Sequence, residues 1–129
     1  MDPRVPAAPP TIEPASDVLD VDVLQDLMTS LIDPVAVAAV YRKFVENASE
    51  FLRELPTQEN AARVDTLHTL KGSAAMMGAR RLAQLAACLQ TQAATSSVQV
   101  AQAVEALADE LARFRAAAAA RLADLGAPL

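Results

Sequence analysis

From residue 19 onward apolar residues recur at three- and four-residue spacing along nearly the whole chain, with polar residues between them. That period gathers apolar side chains on one side of an α-helix, so it predicts a succession of amphipathic helices. The first is expected from about Asp20 to Leu31, with Leu24, Leu27, Met28 and Leu31 on one face. Asp33 can cap a second helix whose first-turn residue is Pro34, and its stripe is Val37, Val40, Tyr41, Phe44, Ala48, Phe51 and Leu55. Thr57 is a candidate cap for a third helix reaching about Met77, which turns Leu67, Leu70, Ala74 and Met77 inward. Gly78 then offers the left-handed residue on which a helix ends sharply. A fourth helix, from about Ala79 to Ala94, aligns Leu82, Leu85, Ala86, Leu89 and Ala93. After the Thr95-Ser96-Ser97 break a fifth is expected with Ser97 as its cap, and its stripe is Val100, Val104, Leu107, Leu111, Phe114, Ala118 and Leu125.

Four long amphipathic helices joined by short connections predict an all-α fold, an antiparallel up-and-down four-helix bundle, with the short additional N-terminal helix laid on it as a lid. Composition agrees, because the 53% apolar content is mostly alanine and leucine and only 3% of residues are aromatic. Pro34 and Pro56 fall at segment boundaries and Pro128 lies at the end, so none interrupts a predicted helix. Five of the eight prolines lie within the first fourteen residues among alanines. Residues 1–18 therefore read as a Pro/Ala-rich linker and 19–126 as one bundle domain. Such a lead-in suits a tether to a longer chain, and a free-standing module with a tail fits it equally.

Charge and ligand chemistry narrow the function. A net charge of -5 lacks the basic footprint that nucleic-acid binding needs. Cys88 is the only cysteine, which excludes an internal disulfide, and with a single histidine it leaves too few ligands for a zinc site. Cys88 is expected as a small buried or half-buried apolar residue; no metal and no cofactor is expected. The stretch from Leu82 to Val104 has no charged residue, yet Gln84, Gln90, Gln92, Gln99 and Gln102 mark it as two water-facing helices and not a membrane span. The first residues show no export signal, so the expected location is cytoplasmic, whether or not a parent protein is anchored in the inner membrane. Four helices can bury their own stripes, so a monomer is expected.

His68 lies on the third helix about 100° or more from the centre of its buried face, so it is predicted at the boundary or in solvent. Lys71 and Gly72 stand at i+3 and i+4, its nearest same-face neighbours. A neutral imidazole offers a nitrogen lone pair near pH 7, and a flexible ammonium can offset the charge of an arriving phosphoryl group. Glycine inside a helix costs about 1 kcal/mol relative to alanine, so Gly72 in an alanine-rich chain needs a reason, and close approach by a partner supplies one.

The run Leu67-His68-Thr69-Leu70-Lys71-Gly72-Ser73-Ala74-Ala75-Met76-Met77-Gly78-Ala79 resembles the signature of the histidine phosphotransfer (HPt) family, His-x-x-Lys-Gly followed by small residues and then Gly. The likeness extends more loosely through Leu19-Asp20, the Phe44 helix and the helix from Leu82 to Gln90, with Gln90 where many members carry Glu. It implies that His68 is a phosphoacceptor, that Lys71 orients it and balances the phosphate, and that Gly72 gives access. By the same likeness the exposed residues Asp65, Ala75, Met76 and Arg80, with the first helix, would form the docking face for receiver domains of response regulators or of a hybrid sensor kinase. The receiver would supply the aspartate, the metal ion and most of the catalytic groups, leaving this module a carrier without kinase activity of its own. Its expected setting is the C-terminal module of a bacterial hybrid sensor histidine kinase. A histidine kinase proper is disfavoured, since the chain has no His-Glu-x-x-Thr-Pro-like segment, no Gly-rich nucleotide loop and no room for an ATP domain. The rival from another class is an interaction bundle that binds partners without carrying phosphate.

Overall fold

The computed structural model describes residues 18–95 and 99–129 of the 129-residue chain. Most of the segment read as a linker, and the Ser97 cap, lie outside the described residues. Among the described residues five α-helices follow one another: α1 (Val21–Leu31), α2 (Pro34–Glu54), α3 (Asn60–Met76), α4 (Arg80–Thr95) and α5 (Val100–Asp124), with a 3-10 turn at Leu55–Thr57. No strand occurs among the described residues. The chain is therefore all-α, with α2 to α5 forming the bundle and α1 lying against α2. No described helix is long and apolar enough to cross a membrane.

Two helix starts follow from capping aspartates. The Asp20 side chain accepts from the Asp22 backbone N–H at 3.0 Å, and Asp33 accepts from that of Val35 at 2.9 Å with Pro34 in the first turn of α2. Between them the backbone turns at Ile32, a β-branched residue with φ of 68° whose side chain is left 78% exposed.

The start of α3 differs from the expectation. Pro56 sits in the 3-10 turn, and the Thr57 hydroxyl donates back to the Glu54 carbonyl at 2.8 Å instead of capping forward. The helix begins at Asn60, its cap Glu59 making no side-chain hydrogen bond. The turn is held by contacts from further along the helix: Arg63 Nε donates to the Leu55 carbonyl at 2.9 Å, and the Thr66 hydroxyl donates to Gln58 Oε1 at 2.9 Å.

The α3–α4 connection is as tight as Gly78 suggests. Gly78 adopts φ of 77°, its N–H reaches the Ala75 carbonyl, and that of Ala79 reaches the Ala74 carbonyl at 2.8 Å. The Gly78 carbonyl also accepts from the Asp20 N–H at 2.8 Å, so the start of α1 seats directly on this turn. A Cβ on Gly78 would stand 2.8 Å from the Asp20 Cβ and 3.2 Å from its carbonyl oxygen. Gly78→Ala is expected to cost about 2 kcal/mol, combining the left-handed penalty with that collision. Urea unfolding checks it, and an unchanged midpoint would show that α1 moves aside freely.

The core is aliphatic around a small aromatic cluster. Phe114 of α5 stacks on Tyr41 with ring centroids 5.8 Å apart and meets Phe44 edge to face at 5.3 Å. Leu67, Leu70, Leu82, Leu89, Leu107 and Leu111 close around them. Near the ends of the stripes the registers shift. On α2 Leu52 is buried while Phe51 is half-buried, and on α5 Leu122 is buried in place of Leu125, which lies past the last helical residue and is 44% exposed. Cys88 is exposed, a further correction: it sits one residue, about 100°, from the buried Leu89 and faces outward.

Tyr41 is fully buried and its hydroxyl finds no partner. Its pKa is pushed up to about 12, first by burial and then by the Asp20 carboxylate. A phenol that stays neutral in the fold but ionises when unfolded contributes stability below its ordinary value of 10.0 and loses it as the pH climbs toward about 12. Tyr41→Phe should leave neutral-pH stability unchanged or slightly raised and flatten that alkaline loss. Unfolding curves across this range test it, and a Phe variant with the same alkaline slope would assign the loss elsewhere.

Candidate functional site

The outer face of α3 is set by its inner one. Leu67, Leu70 and Ala74 are buried, so residues half a turn away are turned to solvent. Asp65, His68, Gly72 and Ala75 are all exposed there, at the three- and four-residue steps that align side chains on one side of a helix. Lys71 is half-buried beside His68, and among the described residues no ion pair engages it.

Two hydroxyls on this surface fold back onto the helix. The Thr69 hydroxyl folds back onto the Asp65 carbonyl at 3.1 Å and that of Ser73 onto the Thr69 carbonyl at 3.0 Å, so each hydroxyl proton is engaged by α3 itself. A Cβ on Gly72 would meet nothing within 4 Å. Among the described residues no neighbour requires glycine at this position, and the empty space lies one turn from the imidazole.

α4 packs extensively on α3, and on α4 Ala83 and Ala86 are buried and Ala87 is half-buried. This brings Gln90 to His68, with its Nε2 3.4 Å from the ring Nδ1, a long hydrogen-bond distance. Nδ1 therefore faces α4, and Nε2, across the ring, is the nitrogen turned away from it. The sequence marks Gln90 only as a departure from the usual family residue; its proximity to His68 is a tertiary fact with no local signal.

The remaining candidates sit further out. Met76, four residues beyond Gly72, is 79% exposed and borders a groove of about 190 Å³ between α2 and α3, lined also by Phe44, Phe51, Ser73 and Met77. Arg80 pairs with Asp20 at 2.6 Å and Arg81 with Glu110 at 2.8 Å, so both guanidinium groups tie elements of the fold together. The described residues contain no cluster of three or more His, Cys, Asp or Glu that could hold a metal ion.

The family model of the Hpt domain matches residues 39–117, more than half of the chain, including all of α3 and α4. No curated protein and no solved structure matches the chain. An exposed histidine on α3 and this match agree: the chain belongs to the Hpt domain family, whose members carry out histidine phosphotransfer in phosphorelays and interact there with receiver domains.

Proposed function

We propose that His68 accepts a phosphoryl group from the aspartyl phosphate of one receiver domain and passes it to the aspartate of another. The observation that carries this reading is the juxtaposition on α3 of an exposed imidazole, an ammonium without an ion-pair partner among the described residues and a position with no side chain. The Nε2 lone pair attacks phosphorus as the bond from phosphorus to the aspartate oxygen breaks, and the carboxylate leaves with the bonding electrons. Lys71 offsets charge on the phosphoryl oxygens during the passage, and Gly72 lets the receiver's active site descend over the ring. Both the acyl phosphate and the phosphoramidate are reactive bonds, so the chemistry runs in either direction.

The receiver must cover a surface wider than one imidazole. Asp65 and Ala75 flank His68 on the exposed face, while Met76 and the adjoining groove extend it toward α2. Arg80, which also pairs with Asp20, marks its far edge with the start of α1. Docking and chemistry separate in kinetics. Lys71→Ala is expected to slow transfer at saturating receiver by about tenfold, as expected for loss of a charge-assisted contact. Met76→Asp should instead raise the receiver concentration needed for half-maximal transfer by about tenfold, with little change in the saturating rate. Single-turnover transfer from a phosphorylated receiver, followed over a concentration series, distinguishes them. A Lys71→Ala effect confined to the half-maximal concentration would move Lys71 from the chemistry to the docking surface.

A further inference from the structure

The groove of about 190 Å³ between α2 and α3 is lined by Phe44, Phe51, Leu70 and Met77, and nothing among the described residues covers it. Phe51 and Met77 are only half-buried and Met76 on its rim is 79% exposed, so apolar surface faces water there. Asn47, exposed on the α2 side, brings a carboxamide that can donate a hydrogen bond. The chain itself enters the fold at the end of this groove. Leu19 is buried and the Asp20 N–H donates to the Gly78 carbonyl at 2.8 Å, one residue beyond Met77. Residues 1–17, which lead up to this point, lie outside the described residues, and their sequence includes Pro9-Pro10-Thr11-Ile12-Glu13-Pro14.

We propose that the segment from Pro9 to Pro14 seats in this groove and competes there with an arriving receiver. Reach permits it. A polyproline-like backbone advances about 3.1 Å per residue, so the chain from Ile12 to Val18 spans up to roughly 19 Å. The groove wall from Leu70 to Met77 on α3 is only about 10 Å long at the helical rise of about 1.5 Å per residue. Composition favours the same occupant. Prolines fix φ and favour an extended backbone with unpaired carbonyls, so seating costs little conformational entropy and those carbonyls suit the Asn47 carboxamide. Ile12 is the one large aliphatic residue between Val5 and Val18 and supplies the apolar anchor. A short tether raises the local concentration of the segment to the order of 1 mM, so a contact too weak to join two separate molecules keeps the groove partly filled. Seating does not depend on His68; the competition rests on His68 being the phosphoacceptor of a docking receiver.

The methionines are Met1, Met28, Met76 and Met77, so ¹³C-methyl labelling of methionine gives a signal for each. Met76 and Met77 border the groove, whereas Met28 lines a separate depression between α1 and α5 and serves as the reference. Ile12→Asp removes the anchor from a segment outside the described residues. Relative to wild type it should shift the Met76 and Met77 methyls, leave that of Met28 in place, and do so at every protein concentration. In single-turnover transfer, the receiver concentration for half-maximal labelling of His68 should fall about threefold in Ile12→Asp, as when the groove is free about a third of the time. Unmoved Met76 and Met77 methyls overturn the proposal, as do shifts that vanish on dilution, which would assign the groove to the segment of a second copy. Methyl shifts with an unchanged receiver requirement overturn the competition. If the methyls shift but neither protein takes label with several receivers, the relay reading falls and the seating stands.

Discussion

Replacing Gly72 with glutamine is expected to leave the bundle folded and to slow phosphoryl transfer to His68 by about a hundredfold, the scale of loss when reacting atoms are held even about 1 Å from their productive geometry. Residues at i and i+4 are stacked neighbours on a helix, so a glutamine at Gly72 covers the imidazole from one turn beyond. A phosphoryl group must come within bonding approach of Nε2 in line with its leaving oxygen, and the added side chain occupies that approach. The partner prediction has the opposite sign for the fold. A Cβ on Gly72 meets nothing within 4 Å, so Gly72→Ala should stabilise α3 by about 1 kcal/mol while slowing transfer less than glutamine does. Urea unfolding and transfer rates on the same two proteins decide the matter. A Gly72→Ala variant that unfolds more easily would reveal a reason for glycine inside this chain, and a Gly72→Gln variant with the wild-type rate would mean that the receiver does not pass over this turn.

The contrast with Gly78 shows what a glycine in a sequence does and does not reveal. Both glycines read as punctuation or access in the bare sequence, and the structure gives them different reasons. Gly78 is required by its positive φ and by the Asp20 Cβ that fills the space beside it, whereas Gly72 has ordinary helical backbone and open surroundings. The first is required by this chain, and the second by nothing among the described residues.

Where local chemistry decides structure, the sequence is a good guide. Asp33-Pro34 opens α2 and Gly78 closes the α3 turn, each through contacts to residues within a few positions. The inward stripes of α3 and α4 follow in the same way, because a helix period needs no partner to be visible. Readings fail where distant residues take over. Thr57 is a reasonable cap in isolation, but Pro56 draws it into a 3-10 turn, and Arg63 and Gln58 secure the start of α3 from outside the local pattern. Leu125 continues the α5 spacing on paper, yet the helix stops at Asp124 and Leu122 takes the buried place. Cys88 is apolar by composition but lies on the outward side of α4.

The site divides in the same manner. His68, Lys71 and Gly72 could be assembled from spacing alone, since all three stand on one helix. Gln90 could not, because it reaches His68 from a second helix across twenty-two residues of chain. Arg80 is visible in the sequence as an exposed docking candidate, and only the fold reveals that Asp20 already engages it.

The central claim is that a phosphoryl group resides on His68, and the largest effect of all is expected there. Wild type and His68→Gln, incubated with a phosphorylated receiver domain, are to be followed by mass and by the acid-lability of the label. His68 is exposed, so glutamine should leave the fold unchanged, and no second histidine can take the group in its place. Wild type gaining an acid-labile phosphoryl group while His68→Gln gains none is the result predicted. Equal labelling of both proteins, or none of either with several receivers that nevertheless bind, would contradict it, and the second outcome would leave an interaction bundle that docks receivers without carrying phosphate.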